Sequence, residues 1–338
     1  MEIVRAEESG DPTSYESRLP IHVDGSCNGL QHYAALGLDV PGAIAVNLLD
    51  ASEPQDVYSA VLAIVLKKME RDLIVPDDET DEILIKRKQM ALFVRGIVDR
   101  KVVKQTVMTS VYGVTRLGAR QQVLNRLEEK MHSDPNKVVT PDLDKEIFRA
   151  SKYVSDLTLD SIGEMFQGAK GIMDWLGACA TIVASQGHAM TWITPLGLPV
   201  SQPYRKYRPH TVRTIMQTIT LSSNDESLPV NGTKQKSAFA PNFVHSLDAT
   251  HMLMTANKMH EKGLVFSAVH DSYWTHAADV PVLGHVLREC FVDMYDRPIL
   301  QELLDSLKIR YPACNFPPVP SRGLLDLSEV KKATYFFH

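Results

Sequence analysis

The sequence predicts a mixed fold of helices and short strands, of the α/β (α+β) class. Residues 21–23 and 264–269 are short apolar stretches with strand-like composition, and an aspartate follows each within two positions. Long segments between them repeat apolar residues every three to four positions, as amphipathic helices do. With 338 residues, 44% of them hydrophobic and 23% charged, the chain can bury a sizeable core.

The first half of the chain is predicted to be mostly helical. Residues 21–23 form a buried strand, and residues 31–36 form a helix that ends before Gly37. Apolar side chains with a period of 3.6 residues predict a helix over residues 54–71, and residues 82–98 are helical as well. A further helix over residues 101–112 stops at Gly113, because glycine favours the end of a helix.

The second half mixes helices with extended segments. Residues 141–185 predict at least two helices, and residues 191–204 are extended with turns at Pro195 and Gly197. Residues 212–221 alternate partly and are predicted as a strand, so this region would form a β-hairpin before a polar loop at 223–236. Helices at 243–260 and 280–307 flank a strand at 264–269, which resumes at 273–276.

The composition excludes several classes of protein. The longest apolar stretch, residues 57–66, is too short to span a bilayer. Residues 1–20 are acidic and lack the apolar core of a signal peptide, so no targeting peptide is visible. The four cysteines are scattered without CxxC spacing, which argues against a disulfide scaffold or a zinc site and for a reducing compartment.

Basic residues are concentrated in two places although the net charge is −5. Between residues 86 and 126, Asp99 is the only acidic residue among many lysines and arginines. A second cluster, interleaved with aromatic residues, comprises Arg205, Lys206, Arg208 and Arg213. Such patches are typical of nucleic-acid-binding surfaces, while a solvated basic face explains the second cluster equally well.

Asp24 and Asp271 follow predicted strands in distant parts of the chain. At neighbouring strand ends, two carboxylates lie close enough to repel each other, and bound cations relieve that repulsion. Oxygen ligands favour Mg²⁺, and Gly25 lets its carbonyl oxygen approach a metal. Taken alone, each aspartate would be interpreted as a turn or N-cap residue. Two such aspartates together with a basic helix predict metal-assisted phosphoryl transfer.

Along one side, the helix over residues 101–112 and the residue before it carry both basic and uncharged side chains. Arg100, Lys104, Met108 and Tyr112 are spaced four apart and therefore share one side of the helix. Arg100 and Lys104 are suited to hold a triphosphate, and Tyr112 to meet a sugar or base. In the alternative interpretation, Met108 and Tyr112 are core residues and the charged side chains of the helix are solvated.

His245 is suited to donate a hydrogen bond to a ribose hydroxyl. Alternatively, it is a core or capping histidine.

Three segments resemble motifs A, B and C of the single-subunit, phage-type RNA polymerases. Residues 22–32 (His-Val-Asp-Gly-Ser-Cys-Asn-Gly-Leu-Gln-His) resemble motif A, residues 99–113 resemble motif B, and residues 269–276 (Val-His-Asp-Ser-Tyr-Trp-Thr-His) resemble motif C. Residues 194–199 and 241–246 match as well. The similarity covers nearly the whole chain and is strongest to the mitochondrial and plastid members.

The resemblance implies the palm and largely helical fingers of a right-hand polymerase. Residues 1–72 would form the palm with motif A, residues 73–240 the fingers with motif B and the specificity-loop region, and residues 241–338 the palm with motif C and the C-terminal tail. Family members are far longer and motif A begins here at residue 22. The thumb and the N-terminal domain are therefore expected to be absent, and the chain to be a fragment or a truncated gene model.

The resemblance further implies transfer of a nucleotide from an NTP to the RNA 3′-hydroxyl on a DNA template. Asp24 and Asp271, with the Gly25 carbonyl, would bind two Mg²⁺ ions, and Lys104 would lie nearest the reacting phosphate. Tyr112 and His245 would select ribose. The implied substrate-binding residues are Tyr58, Arg100, Lys104, Met108, Tyr112 and His245.

The partners implied by the resemblance are the DNA template and promoter, nascent RNA, NTPs and an organellar transcription initiation factor, with no membrane. Residues 191–236 correspond to a specificity loop that contacts promoter DNA, with Arg205, Lys206 and Arg208 as nucleic-acid-binding residues. The C-terminal residues 335–337 would lie near the active site. The implied location is the mitochondrion, with the plastid as the alternative.

Two alternatives to this function stay open. An A-family-like DNA polymerase shares the spacing from Lys104 to Tyr112 and the His-Asp pair of motif C. Ser272 after Asp271, where a glutamate is usual in that family, favours the RNA polymerase. A non-catalytic nucleic-acid-binding fragment would keep the basic helix without metal-dependent extension.

Overall fold

The computed structural model describes residues 2–11, 13, 16–76, 79–133, 141–207, 209–222 and 227–337. Over these residues the chain combines many α-helices with small antiparallel sheets, which confirms the predicted α+β class. No helix in this part of the chain is long and apolar enough to cross a bilayer.

Helices make up most of the described structure. In chain order they are α1 (Glu2–Glu8), α2 (Asn28–Gly37), α3 (Val40–Ala45), α4 (Val57–Leu73), α5 (Glu82–Phe93), α6 (Arg100–Ser110), α7 (Arg116–His132), α8 (Pro141–Met165), α9 (Gln167–Ser185), α10 (Gly232–Glu261), α11 (Val280–Tyr295) and α12 (Ile299–Arg310). The strands are β1 (Pro20–Asp24), β2 (Thr191–Ile193), β3 (Pro199–Ser201), β4 (Pro209–Arg213), β5 (Thr218–Ser222), β6 (Ser267–Val269) and β7 (Ser272–His276).

A three-stranded antiparallel sheet has the strand order β1-β7-β6, and we call it the central sheet. β6 and β7 form a hairpin whose turn contains His270 and Asp271. The end of β1 lies beside that turn, since Asp24 pairs with Ser272 and the Gly25 N–H donates to the Asp271 carbonyl at 3.3 Å. The two aspartates are therefore brought together by the turn of the β6–β7 hairpin and the end of β1.

The prediction that residues 21–23 are buried is wrong. Most of β1 is exposed, and Ile21 keeps 43% of its surface in solvent. The physical reason is that β1 is an edge strand of a sheet with one covered face. On that face the central strand β7 supplies the buried side chains, Tyr273 and Thr275.

The local sequence of helix α6 determines where the helix begins and which of its sides is buried. The Asp99 carboxylate caps the helix by accepting from the backbone N–H groups of Lys101 and Val102, which stabilises it by about 1 kcal/mol. Its buried face comprises Val102, Val103, Thr106 and Val107. Because these side chains pack inward, the opposite stripe faces solvent.

Several predicted boundaries differ from the structure. The predicted strand at 212–221 is instead the β4–β5 hairpin, and α10 begins at Gly232, inside the predicted loop. The helix predicted over 280–307 is two helices, separated at residues 296–298. Helix α4 begins at Val57 because Asp56 caps it, and α7 was not predicted.

The C-terminal segment returns to the central sheet. Phe337 pairs with Gly25 in an antiparallel bridge and stacks on Tyr273, with ring centroids 5.3 Å apart and 7° between the planes. The Gln31 side chain donates to the Phe336 carbonyl at 3.0 Å. These contacts place the tail beside the residue that follows Asp24.

Candidate active site

A cavity of about 600 Å³ joins distant segments of the chain. It is lined by Asp24, Gly25, Ser26, Pro54, Gln55, Asp56, Val57, Tyr58, Arg100, Lys104, Met108 and Asp271. The structure thus brings together all the residues predicted to hold metal or triphosphate. Met108 is 44% exposed, so it faces the cavity instead of the core.

The two predicted metal-binding carboxylates are electrostatically coupled. Burial raises the pKa of Asp271, and the negative charges of Asp248 and Asp24 raise it further. His270, the residue before Asp271, adopts a left-handed backbone with φ of 56°. This conformation is unfavourable for a non-glycine residue and is retained here at the turn that presents Asp271.

The donor set of the cavity fits a hard divalent cation. Among the described residues, no group of three or more His, Cys, Asp or Glu side chains is placed to hold a metal ion. Asp24, Asp271 and the Gly25 carbonyl supply oxygen donors only and leave positions for substrate or water oxygens. Mg²⁺ prefers such a site, and a cation would offset both the burial of Asp271 and the repulsion from Asp248 and Asp24, which together raise its pKa.

The two cations of α6 lie over one aromatic ring. The Arg100 guanidinium carbon lies 5.0 Å from the centroid of the Tyr58 ring, and Lys104 Nζ lies 5.5 Å from it. Arg100 is also paired with Asp56, with Nε–Oδ2 at 2.6 Å. Lys104 is exposed, and its Nζ forms no ion pair with a carboxylate in the part of the chain that the structure describes.

Asp56 was not predicted as a site residue. Burial raises the pKa of its carboxyl, but the hydrogen bonds donated by Arg100 and Ser59 outweigh this, so the pKa lies below its ordinary value. Its position directly before α4 is a signal for an N-cap, and it accepts from the Tyr58 N–H at 3.1 Å. The same carboxylate therefore caps α4 and holds Arg100.

Tyr112 and His245, predicted to select the sugar, stack on each other beyond the lining of the cavity. Their ring centroids lie 4.5 Å apart with 9° between the planes. Burial lowers the pKa of His245, so the imidazole is neutral at neutral pH, and burial raises the pKa of the Tyr112 hydroxyl. The stack is thus an uncharged surface with hydrogen-bonding groups.

A glycine of motif A allows α2 to approach this stack. A Cβ atom on Gly29 would lie 2.7 Å from Val111 Cγ2 and 3.4 Å from the Tyr112 hydroxyl. The first distance is shorter than a normal van der Waals contact, so any side chain here must displace Val111, the residue before Tyr112. Gly29 positions Tyr112 through this close approach.

A buried polar network, which sequence analysis missed, lies under the site. The Asp248 carboxylate accepts from the Asn28 amide at 2.5 Å and lies 3.8 Å from His32 Nε2. Burial raises the pKa of Asp248, but His32 and Asn28 lower it below its ordinary value. Since Asp248 is one helical turn from His245, the network connects α2 to the part of α10 that carries His245.

Two of the predicted nucleic-acid-binding residues, the half-buried Arg205 and the exposed Lys206, lie in the described part of the chain. The Arg205 guanidinium donates to the Leu228 carbonyl at 2.8 Å, and the Lys206 backbone N–H donates to the Pro229 carbonyl. Arg208 lies outside the described residues. Many basic residues of the first cluster pair with acids; these pairs are Lys86–Glu82, Arg87–Asp72, Arg116–Asp156 and Arg126–Glu129.

A family comparison agrees with this arrangement of motifs. A family model described as DNA-dependent RNA polymerase matches residues 1–316. The chain belongs to the DNA-dependent RNA polymerase family. Membership in this family favours the RNA polymerase over the A-family DNA polymerase.

Plant organellar RNA polymerases are similar to the chain over nearly its whole length. The mitochondrial DNA-directed RNA polymerase 1 of Nicotiana sylvestris is 50% identical over 336 residues, which cover 99% of this chain and 32% of the relative. The mitochondrial polymerase 1 of Arabidopsis thaliana is 49% identical over 327 residues, also 32% of its length. DNA-directed RNA polymerase 2A of Nicotiana tabacum is 48% identical, and the match covers 96% of it. The chain thus spans about a third of the first two relatives.

Proposed function

We propose that the chain catalyses template-directed transfer of a nucleotide from an NTP to the 3′-hydroxyl of RNA. The observation that carries this proposal is the cavity in which Asp24 and Asp271 meet Arg100 and Lys104. Two carboxylates opposite two cations are what a phosphoryl transfer requires, since metal and triphosphate must be held together.

Asp24, Asp271 and the Gly25 carbonyl would hold two Mg²⁺ ions. When bound, such ions promote deprotonation of the attacking hydroxyl and neutralise the leaving pyrophosphate. Lys104 extends over the Tyr58 ring into the cavity and stabilises the negative charge that builds up on the reacting phosphate. This ammonium is available because it forms no ion pair with a carboxylate of the described residues.

Arg100 would bind the outer phosphates of the incoming NTP. Its guanidinium already forms a bidentate contact with the Asp56 carboxylate, through Nε at 2.6 Å and a terminal nitrogen at 3.2 Å. A phosphate offers the same pair of oxygen acceptors with more negative charge. Arg100 therefore exchanges Asp56 for the triphosphate when the substrate enters.

The stacked pair of Tyr112 and His245 would select ribose over deoxyribose. The neutral His245 imidazole and the Tyr112 hydroxyl can hydrogen-bond a ribose 2′-hydroxyl, which a deoxyribonucleotide lacks. Tyr58 supports this region by holding the cations of α6 at the floor of the cavity.

The proposed division is a palm formed by residues 1–72 and 241–338, with fingers at 73–240. The central sheet supports it, because its strands come from both proposed palm segments. The β4–β5 hairpin lies in the proposed specificity loop. The proposed partners are template and promoter DNA, nascent RNA, NTPs and an organellar initiation factor. Relatives named mitochondrial favour the mitochondrion, with the plastid as the alternative since others are named chloroplastic.

Primer extension tests the proposal. The full chain is given an RNA primer on a DNA template with Mg²⁺ and either NTPs or dNTPs. We expect extension with NTPs that stops when the metal is chelated, and no detectable extension by Asp271→Asn. The matched control is Asp305→Asn, an exposed aspartate on α12, which leaves extension unchanged.

Three outcomes would contradict the proposal. A strong preference for dNTPs would favour a DNA polymerase, and retained extension by Asp271→Asn would exclude the metal-binding role. Binding of the primer–template without any extension by the wild-type chain would favour the non-catalytic fragment. Circular dichroism of the Asp271→Asn protein must match the wild type, so that loss of activity reflects the missing charge.

A further inference from the structure

The outer face of the central sheet carries an aromatic pair beside a catalytic carboxylate. In antiparallel strands, directly paired residues point to the same face, and alternate residues share it. His22 pairs with Trp274, and Asp24 pairs with Ser272. These four side chains therefore share the outer face, while Tyr273 is buried on the other.

The two rings form a defined edge-to-face contact. Their centroids lie 6.4 Å apart with 67° between the planes, and the Trp274 indole N–H donates to the Ser272 hydroxyl at 3.1 Å. His22 is exposed and Trp274 is half-buried. The indole is thus fixed in orientation, yet the core does not cover it.

Asp24 lies between two surfaces that differ in chemistry. On one side is the cavity with Arg100 and Lys104, which suits a triphosphate. On the other is the sheet face with His22 and Trp274. Since the RNA 3′-hydroxyl must also reach Asp24, the strand that carries it approaches from the side that the triphosphate leaves free.

We propose that His22 and Trp274 form a contact surface for the 3′-terminal nucleotides of the RNA strand. This inference rests on the proposed function and assigns a binding role to two residues outside the cavity. Aromatic rings bind sugars and bases by apolar contact and stacking without reading the sequence. The surface positions the attacking hydroxyl next to Asp24, whichever nucleotide was added last.

The three strands supply no basic side chain to this face. The residues of the three strands that share this face comprise Pro20, His22, Asp24, Ser267, Val269, Ser272, Trp274 and His276, and none of them is a lysine or an arginine. Phosphate contacts by lysine and arginine weaken steeply with salt, because bound counterions are released. The contribution of Trp274 to binding should therefore be the same fold-change at low and high salt.

Tryptophan fluorescence can detect this contact without catalysis. The sequence has three tryptophans, and Trp175 and Trp192 are 5% and 2% exposed. Acrylamide therefore quenches mainly Trp274 in the free protein. A short RNA–DNA hybrid with a recessed RNA 3′ end should protect the emission from acrylamide, and Trp274→Phe should show weak quenching that the hybrid does not change.

Affinity measurements complete the test, by anisotropy of the same hybrid labelled at its far end. Trp274→Ala should weaken binding about tenfold, as for loss of one base–aromatic contact, and Trp274→Phe should retain most of the affinity. The matched control is Ile309→Ala on α12, where the side chain is 81% exposed and does not line the cavity. Its affinity should equal that of the wild type.

The outcomes separate this inference from the proposed function. Saturating hybrid that leaves acrylamide quenching of Trp274 unchanged overturns the contact surface, even where primer extension proceeds normally. Equal loss of affinity in Trp274→Ala and Ile309→Ala overturns it as well. Failure of the hybrid to bind at all overturns both proposals, whereas protection of Trp274 in the Asp271→Asn protein supports the contact independently of catalysis.

Discussion

The Tyr112 ring lies nearly parallel to the His245 imidazole, with 4.5 Å between the ring centroids. The two residues are far apart in the chain, one just after α6 and the other in α10. A stacked pair of this kind holds the tyrosine hydroxyl in one place, because the ring cannot rotate freely against its neighbour. The position of one oxygen atom can therefore decide which sugar is accepted.

Replacing Tyr112 by phenylalanine should relax sugar selection. The stack on His245 is retained, but the hydroxyl that we propose bonds the ribose is lost, so the preference for NTPs over dNTPs should fall about tenfold or more. Competing extension with labelled NTPs and dNTPs measures this ratio. Tyr207→Phe, at a tyrosine that is 65% exposed, should leave the ratio unchanged. Unaltered selectivity in Tyr112→Phe would exclude the hydroxyl as a sugar contact.

Replacing Asp56 by asparagine should strengthen NTP binding. Arg100 is 46% exposed and Asp56 35% exposed, so their ion pair contributes at most about 1 kcal/mol. The incoming triphosphate no longer has to displace a carboxylate, and the apparent KM for NTP should fall roughly twofold to fivefold. Asparagine still caps α4, so urea unfolding should change little.

The alanine variant at the same position separates the cap from the charge. Asp56→Ala should show the same lower KM and lose about 1 kcal/mol of unfolding free energy, because the Tyr58 N–H loses its acceptor. A higher KM in Asp56→Asn would show the opposite role for the carboxylate. It would then hold Arg100 in the binding position instead of competing with the substrate.

The parts of the site that were predicted depend on local periodicity. Arg100, Lys104 and Met108 share a face because a helix turns by 100° per residue, whatever surrounds it. Asp24 and Asp271 could be expected to meet because each ends a strand. Asp56 could not be assigned to Arg100, since 44 residues separate them and only the packing of α4 against α6 makes the contact.

The missed fold features have equally specific causes. The β4–β5 hairpin has Ile215 and Met216 at the tip of its turn, where glycine or asparagine is usual. The turn is closed by the Thr214 hydroxyl, which donates to the Gln217 carbonyl at 3.0 Å and accepts from the Gln217 N–H at 3.1 Å. The start of α10 was not predicted, because the sequence of Asn231 followed by a glycine is typical of a turn. Instead its side chain accepts from the Lys234 N–H and caps the helix.

Replacing Gly29 by alanine should damage both stability and sugar selection. The added methyl would lie 2.7 Å from Val111 Cγ2, and relieving that overlap should cost about 1–3 kcal/mol and displace Tyr112. Urea unfolding and the ratio of NTP to dNTP incorporation measure the two effects.

A second helical glycine provides the matched control for that substitution. Gly171 lies in α9, and a Cβ there would meet nothing within 4 Å. Gly171→Ala should therefore raise stability by up to about 1 kcal/mol through helix propensity, with selectivity unchanged. Equal stability of the two alanine variants would rule out the close approach at Gly29.

The stability of the protein should decrease as the pH falls through the titration of His251. The Nε2–H of this buried imidazole donates to the Leu287 carbonyl oxygen at 2.9 Å. Burial and the neighbouring His32 lower its pKa from the ordinary 6.5 to about 4, although the hydrogen bond to Leu287 and the charge of Asp248 oppose that shift. The unfolded chain therefore binds a proton that the folded chain does not.

The sign and size of the effect follow from that difference in pKa. Stability from neutral His251 is complete above about pH 6.5 and is lost as the pH falls towards 4, by roughly 3 kcal/mol in total. Urea unfolding across this pH range measures the loss.

At neutral pH, His251→Phe should be less stable than the wild type, because the Leu287 carbonyl loses its hydrogen-bond donor. Its unfolding free energy should depend less steeply on pH, because unfolding takes up about one proton fewer. His285→Gln, at an exposed histidine, should keep the wild-type slope. An unchanged slope in His251→Phe would place the acid sensitivity elsewhere, with His245, whose pKa burial also lowers, as the next residue to replace.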